Sequence, residues 1–265
     1  MVNSSITIYT LPCLSDNYAY VVHNRATGTA AVVDVPDAGP LVDKISQLNL
    51  PVTDIFLTHH HWDRIDGLPD LQAALTGSLG QSRARVIGAK ADTHRLPALD
   101  QAVGPGDRVT LCGIEGDIYD VSGHTLGHLA LHLPSAKAVF SADSLMAMGC
   151  GRLFEGSAVQ MWHSLQQFRS LSPDTWVYSG HEYTATNMAF TQSLGEDNPA
   201  IAARAGQITK DRAAGQATVP SLLSIELQTN PFLRVDDPAL QAAVGMPGAT
   251  AEQVFTEIRS RRDKF

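Results

Sequence analysis

The chain has 265 residues, 44% of them hydrophobic and 17% charged, with a formal net charge of −8. That size supports one large globular domain, alone or with a smaller appendage, and the acidic balance argues against nucleic acid or an anionic membrane as the partner. No apolar run approaches the ~20 residues that span a bilayer, and the opening MVNSSITIYTLP lacks a charged-then-apolar leader, so a cytoplasmic protein is expected. Cys13, Cys112 and Cys150 are odd in number and widely spaced, which predicts reduced thiols and excludes a CxxC metal knuckle.

In chain order, Ile6–Tyr9, Tyr18–Val22 and Ala30–Asp34 are short β-prone runs punctuated by Pro12, Asp16-Asn17 and Asn24 to Gly28, which predicts an antiparallel opening. Pro40–Leu50 carries Leu41, Ile45 and Leu48 at helical spacing. Asp54–Leu57 is a buried strand that runs into Thr58-His59-His60-His61-Trp62-Asp63-Arg64-Ile65-Asp66-Gly67. His59 and His61 are two residues apart, so on an extended strand end they project to one side while His60 points away. Asp63 falls on the turn that follows.

A helix is predicted from Gly67 to about Leu75, a loop over Gly77–Gly80 and strands over Arg85–Gly88, Arg108–Leu111 and Asp117–Val121. The last of these ends in Ser122-Gly123-His124-Thr125-Leu126-Gly127-His128. Strands over His128–Leu133 and Ala138–Ser141 follow, and the second delivers Asp143. After a loop containing Gly149-Cys150-Gly151-Arg152-Leu153-Phe154-Glu155-Gly156, Val159–Leu171 reads as a helix, and Thr175–Tyr178 as a strand running into Gly180-His181. A single strand-end histidine is more often an ordinary hydrogen-bonding residue than a ligand. Here successive strand ends present His, His, Asp and His, and that recurrence points to a metal. From Thr184 onward the composition turns to Ala-rich, helix-prone segments at Thr184–Leu194, Pro199–Ala214 and Ala251–Arg262, broken by Gly206, Gly215, Pro220, Pro231 and Pro238. A catalytic domain over 1–182 and a helical domain over 183–265 are therefore expected.

The motifs LTHHHWD, SGHTLGH, ADSL, GCGRLFEG, GHEYT, NPFLR and the RSRRDKF ending occur in an order that resembles the metallo-β-lactamase superfamily, and within it glyoxalase II, the hydroxyacylglutathione hydrolases. The resemblance covers essentially the whole chain. It implies an α+β fold, an αββα sandwich followed by a helical glutathione-binding domain, in a monomer that hydrolyses S-D-lactoylglutathione to D-lactate and glutathione in methylglyoxal detoxification. It further implies a first metal on His59, His61 and His124, with Asp143 bridging to a second metal on Asp63 and His181. Zinc is the expected ion, with iron and manganese as alternatives. Glutathione would be held by Arg152, Tyr183, Arg259 and Arg262, the last replacing a lysine common in the family. Arg259 and Arg262, at i and i+3, share a helix face, although a basic helix end is by itself the ordinary complement to the macrodipole.

Two positions depart from the family pattern. Arg64 stands where a metal-ligand histidine belongs and Asp66 where glycine is usual, so the second metal is expected to be weak or absent. Two other readings follow from that departure: a mononuclear-iron persulfide dioxygenase of the same superfamily, and a glutathione-thioester binding protein with weakened catalysis.

Overall fold

The computed structural model describes residues 5–265; the first four residues of the opening stretch lie outside them. The chain forms two compact units, one taking in the chain to Asp120 together with Gly127–Phe140, the other Val121–Leu126 and Ser141–Phe265.

In the first unit, β1 (Ile6–Cys13), β2 (Asn17–Asn24) and β3 (Thr29–Val33) are antiparallel, and β4 (Val52–Phe56), β5 (Arg85–Ala89) and β6 (Gln101–Val103) continue the sheet in parallel, in the order β1-β2-β3-β4-β5-β6. The opening is antiparallel, as its turn residues predict, but β1 runs on through Pro12. Its edge position explains this, because a proline lacking an N–H is tolerated where one side of the strand has no ladder to serve. The interior strands β3 and β4 end in apolar runs, with Ala31, Val32, Ile55 and Phe56 all fully buried. Each such Val, Ile or Phe contributes roughly 1.5–3 kcal/mol on burial.

Helix α1 (Ala38–Leu48) enters through the Asp37 side chain, which accepts from Gly39 N, and stops at Asn49 in a left-handed conformation (φ 49°). It starts two residues before the expected Pro40. α2 (Trp62–Ile65) is a single turn and α3 (Leu68–Thr76) follows it. The antiparallel strands β7 (Arg108–Leu111), β8 (Ile114–Asp120), β9 (Leu129–Leu133) and β10 (Ala138–Ala142) come next, with Ile118 opposite Leu131 and Phe140 opposite Leu131.

The second unit opens on a two-stranded ribbon, β11 (Leu145–Met146) and β12 (Gly149–Cys150), too short to carry a periodic signal. It is held from outside itself: Asn230 Nδ2 donates to Met146 O and Gly149 O, both at 3.0 Å, and Glu226 accepts from Met148 N at 2.9 Å. α4 (Ala158–Arg169) begins with a reciprocal Ser157–Gln160 capping box. β13 (Trp176–Ser179) leads to His181, and β14 (Ser221–Leu222) pairs with it antiparallel. The remainder is helical, with α5 (Thr184–Ser193), α6 (Pro199–Ala213), α7 (Leu223–Thr229), α8 (Pro238–Ala243) and α9 (Ala251–Lys264). The long helices α5, α6 and α9 fall where the Ala-rich segments predict them. α7 and α8, at seven and six residues, are too short for a periodic signal.

Candidate metal centre

The end of β4 is fastened before it reaches the histidines. Leu57 N donates to Ile87 O, and the buried Asp34 then takes both polar groups of Thr58, its N–H and its hydroxyl, each at 2.8 Å. Asp34 holds a left-handed backbone (φ 58°) to present its carboxylate this way. Because the Thr58 hydroxyl spends its one proton on Asp34, it accepts from His59 Nδ1, 3.1 Å away. The His59 tautomer is thereby set, with the lone pair on Nε2. Such a carboxylate-to-hydroxyl-to-imidazole relay is the kind of outer support that orients a histidine toward a metal. Replacing Asp34 by Ala should weaken metal affinity by about 10–100-fold while the fold persists, which a competition titration with a chelating dye would measure. Unchanged affinity would show that Asp34 only closes the strand.

His61 caps α2 in an extended conformation, and its ring meets that of His59 edge-on at 4.7 Å. His60 turns away, as its strand parity predicts, with Nδ1 3.2 Å from the buried Asp92 carboxylate. Gly127 makes room for that carboxylate, since a Cβ there would sit 2.2 Å from Asp92 Oδ2. On α2, Asp63 Oδ2 accepts from Asn17 Nδ2 at 2.7 Å and lies 3.6 Å from Arg64 Nη2. Asp66 is exposed at the end of that turn. His128, absent from the expected ligand set, is fully buried with its ring 4.6 Å from that of His59.

In the second unit, His124 Nδ1 donates to Arg152 O at 2.8 Å, which leaves its lone pair too on Nε2, 3.6 Å from Asp143 Oδ2. His181 Nε2 lies 3.4 Å from the same carboxylate oxygen, and its ring stacks on Tyr183 at 4.5 Å and 3°. Gly151 is obligatory here, because a Cβ would lie 1.8 Å from Asp143 O.

The ligand atoms of His59, His61 and His124 all lie within 4.8 Å of one another, as do those of Asp63, Asp143 and His181. The donor chemistry fits a metal. In two of the three imidazoles the outer nitrogen is committed to a donor role, so that Nε2 remains as the ligand, and the carboxylates are held by protein donors or lie against histidines. These His and Asp groups are a metal-binding cluster. Cysteine does not complete either group: all three thiols are buried and free, and burial pushes Cys13 up to about 11 and Cys112 to about 12.

The residues expected to meet glutathione are placed differently from one another. Arg259 is only 5% exposed, and it donates from Nη1 to Cys150 O (3.1 Å) and Gly151 O (3.4 Å) and from Nη2 to Asp263 (2.9 Å) over the Phe232 ring. Arg262 is half-buried, donating to Asn187 Oδ1 at 3.3 Å between Phe190 and Phe265. Arg152 is well exposed, its Nε 4.0 Å from Asp263, and Tyr183 is also exposed.

A family model described as the hydroxyacylglutathione hydrolase C-terminus matches residues 182–265. The hydroxyacylglutathione hydrolase of Ruegeria pomeroyi is 52% identical over 260 residues, covering 98% of this chain and 99% of that one. The chain belongs to the hydroxyacylglutathione hydrolase family. The enzyme of that name from Jannaschia sp. is 54% identical, over 97% of this chain and 98% of its own. The solved BLEG-1 B3 metallo-beta-lactamase covers 86% of this chain and 99% of its own with a TM-score of 0.64 at 18% identity, a likeness of fold alone. This member of the glyoxalase II family thus has the α+β metallo-β-lactamase fold that its motifs imply.

Proposed function

We propose that the chain hydrolyses the thioester of S-D-lactoylglutathione to D-lactate and glutathione. The observation that carries this reading is near-full-length kinship at about half identity with hydroxyacylglutathione hydrolases, on a chain whose His and Asp donors gather into metal-competent groups. The same kinship favours a hydrolase over a persulfide dioxygenase or a silent binding protein.

His59, His61, His124 and Asp143 would hold the principal ion, and their N and O donors suit zinc, with iron or manganese as alternatives. When bound, such an ion polarises the thioester carbonyl and lowers the pKa of water toward ~7. Asp63, aimed by Asn17, is placed to accept a hydrogen from the attacking water and fix its direction. The leaving thiol has a pKa of about 8.5, so the thiolate departs with little help from a general acid. A protein nucleophile is not needed, and the buried cysteines are poorly suited to be one. On a chain of net charge −8, the carboxylates of glutathione call for local cations. Arg152, Arg262 and the Tyr183 hydroxyl would supply contacts, and Arg259 braces the loop from which Arg152 projects. In this reading residues 183–265 serve as the glutathione-binding domain, and three free thiols fit a cytoplasmic setting.

Loss of thioester absorbance with S-D-lactoylglutathione tests the proposal. Oxygen uptake with glutathione persulfide, or glutathione binding without turnover, would replace it with one of the other readings. Arg262→Ala should raise KM by roughly 10-fold, the worth of one charge-assisted hydrogen bond, with a smaller change in kcat, because a remote contact is alike in ground and transition states. A fall in kcat at constant KM would assign Arg262 a different role.

A further inference from the structure

The residue that breaks the ligand pattern is also among the most enclosed side chains. Arg64 is 0% exposed, and it heads the fully buried side chains by volume. Its main chain is held from both sides: Arg64 N donates to His61 O (2.9 Å), and Arg64 O accepts from Val35 N (2.7 Å). Gly67, a few residues on, packs so closely that a Cβ would lie 2.9 Å from both Ala38 N and Val35 O. The turn cannot slide, and the guanidinium has a fixed place, with Nη1 3.5 Å from Tyr18 O and Nη2 3.6 Å from Asp63 Oδ2. Arg64 pairs with Asp63, whereas Asp66 stands exposed at the end of the turn.

A guanidinium stays protonated and has no lone pair, so Arg64 cannot be a ligand. What it brings is a permanent positive charge beside the carboxylate that would otherwise face a second cation. We propose that Arg64 is a built-in replacement for the second metal: it balances and aims Asp63, and the chain works with one tightly held ion. The inference rests on the reading that His59, His61, His124 and Asp143 hold a metal. Two effects act together. The group Asp63, Asp143 and His181 lacks the ligand that a histidine at position 64 would give, and a second divalent ion would add to the charge of a guanidinium that is itself fully buried, where repulsion is poorly screened.

Metal content of the unaltered chain, purified without added metal and counted by mass spectrometry, is the primary test and needs no substitution. About one zinc per chain is expected, with a second equivalent binding at least ~100-fold more weakly in a chelator competition. Arg64→His combined with Asp66→Gly should raise tight binding to about two. Arg64→Gln, checked for folding by circular dichroism and melting, should keep the count near one while thioester turnover falls by about 100-fold, the scale of losing one preorganised charge. Two tightly bound ions in the unaltered chain, or full turnover in a folded Arg64→Gln protein, would overturn the inference. A chain holding no ion would instead overturn the metal-site reading beneath it. A chain with one ion and no thioester turnover would overturn the proposed substrate and leave the one-metal inference standing.

Discussion

His124→Ala should empty the principal metal site and lower thioester turnover by on the order of 10³-fold or more, since Lewis-acid stabilisation is worth several kcal/mol and each 1.4 kcal/mol is tenfold. The size of the effect follows from what this imidazole does. His124 supplies one of the three nitrogen donors gathered within 4.8 Å, and its ring is already turned for that purpose by the Arg152 carbonyl. Alanine removes the donor and leaves that carbonyl without its partner. Metal content and turnover should fall together, and added zinc should restore little of either. A variant that keeps its metal and its rate would show that His124 is an ordinary strand-end histidine.

Arg259→Ala should destabilise the chain by about 3 kcal/mol or more, a drop of roughly 6–12 °C in Tm for a chain of this size. Arg259 is enclosed, and truncation would strip donors from Cys150 O and Gly151 O and a cation from Asp263. Those carbonyls belong to the segment in which Gly151 is pressed against Asp143 O, so loosening it should also disturb Asp143 and lower kcat. Differential scanning calorimetry with steady-state kinetics separates the outcomes. A rise in KM alone, at unchanged Tm, would instead make Arg259 a glutathione clamp whose interior contacts are incidental.

The contrast between Arg259 and Arg262 marks what the sequence could and could not convey. Helical spacing puts the two on one face of α9, and so it does. Spacing is silent on how deep that face lies, and Arg259 proves to be part of the interior while Arg262 is half exposed. The gathering of His and Asp at strand ends is legible because strand ends are punctuated: an apolar run, then Thr-His or Gly-His, is a local signal. Asp34 was not, because its partner Thr58 is 24 residues away and nothing near Asp34 distinguishes it from a turn residue. Nor was His128, whose ring packs on His59 across 69 positions of sequence. Strands β6, β11 and β12, two or three residues each, are defined by their neighbours, and no periodicity can arise over such lengths. The position of Arg64 is readable as a broken motif, but its pairing with Asp63 while Asp66 faces solvent depends on how the turn folds.

The hydrogen bond from His124 to the Arg152 carbonyl joins two tasks in one residue. Arg152 offers its guanidinium outward, toward solvent, and its carbonyl inward, to a metal-directed imidazole. A solute held by the Arg152 side chain acts on the residue whose carbonyl orients His124. If a glutathione thioester is held there, as proposed, any coupling to metal binding is reciprocal: the factor by which bound metal alters the hold on the thioester equals the factor by which the thioester alters the hold on metal. With a coupling of positive sign, the substrate itself would help to retain a scarce metal.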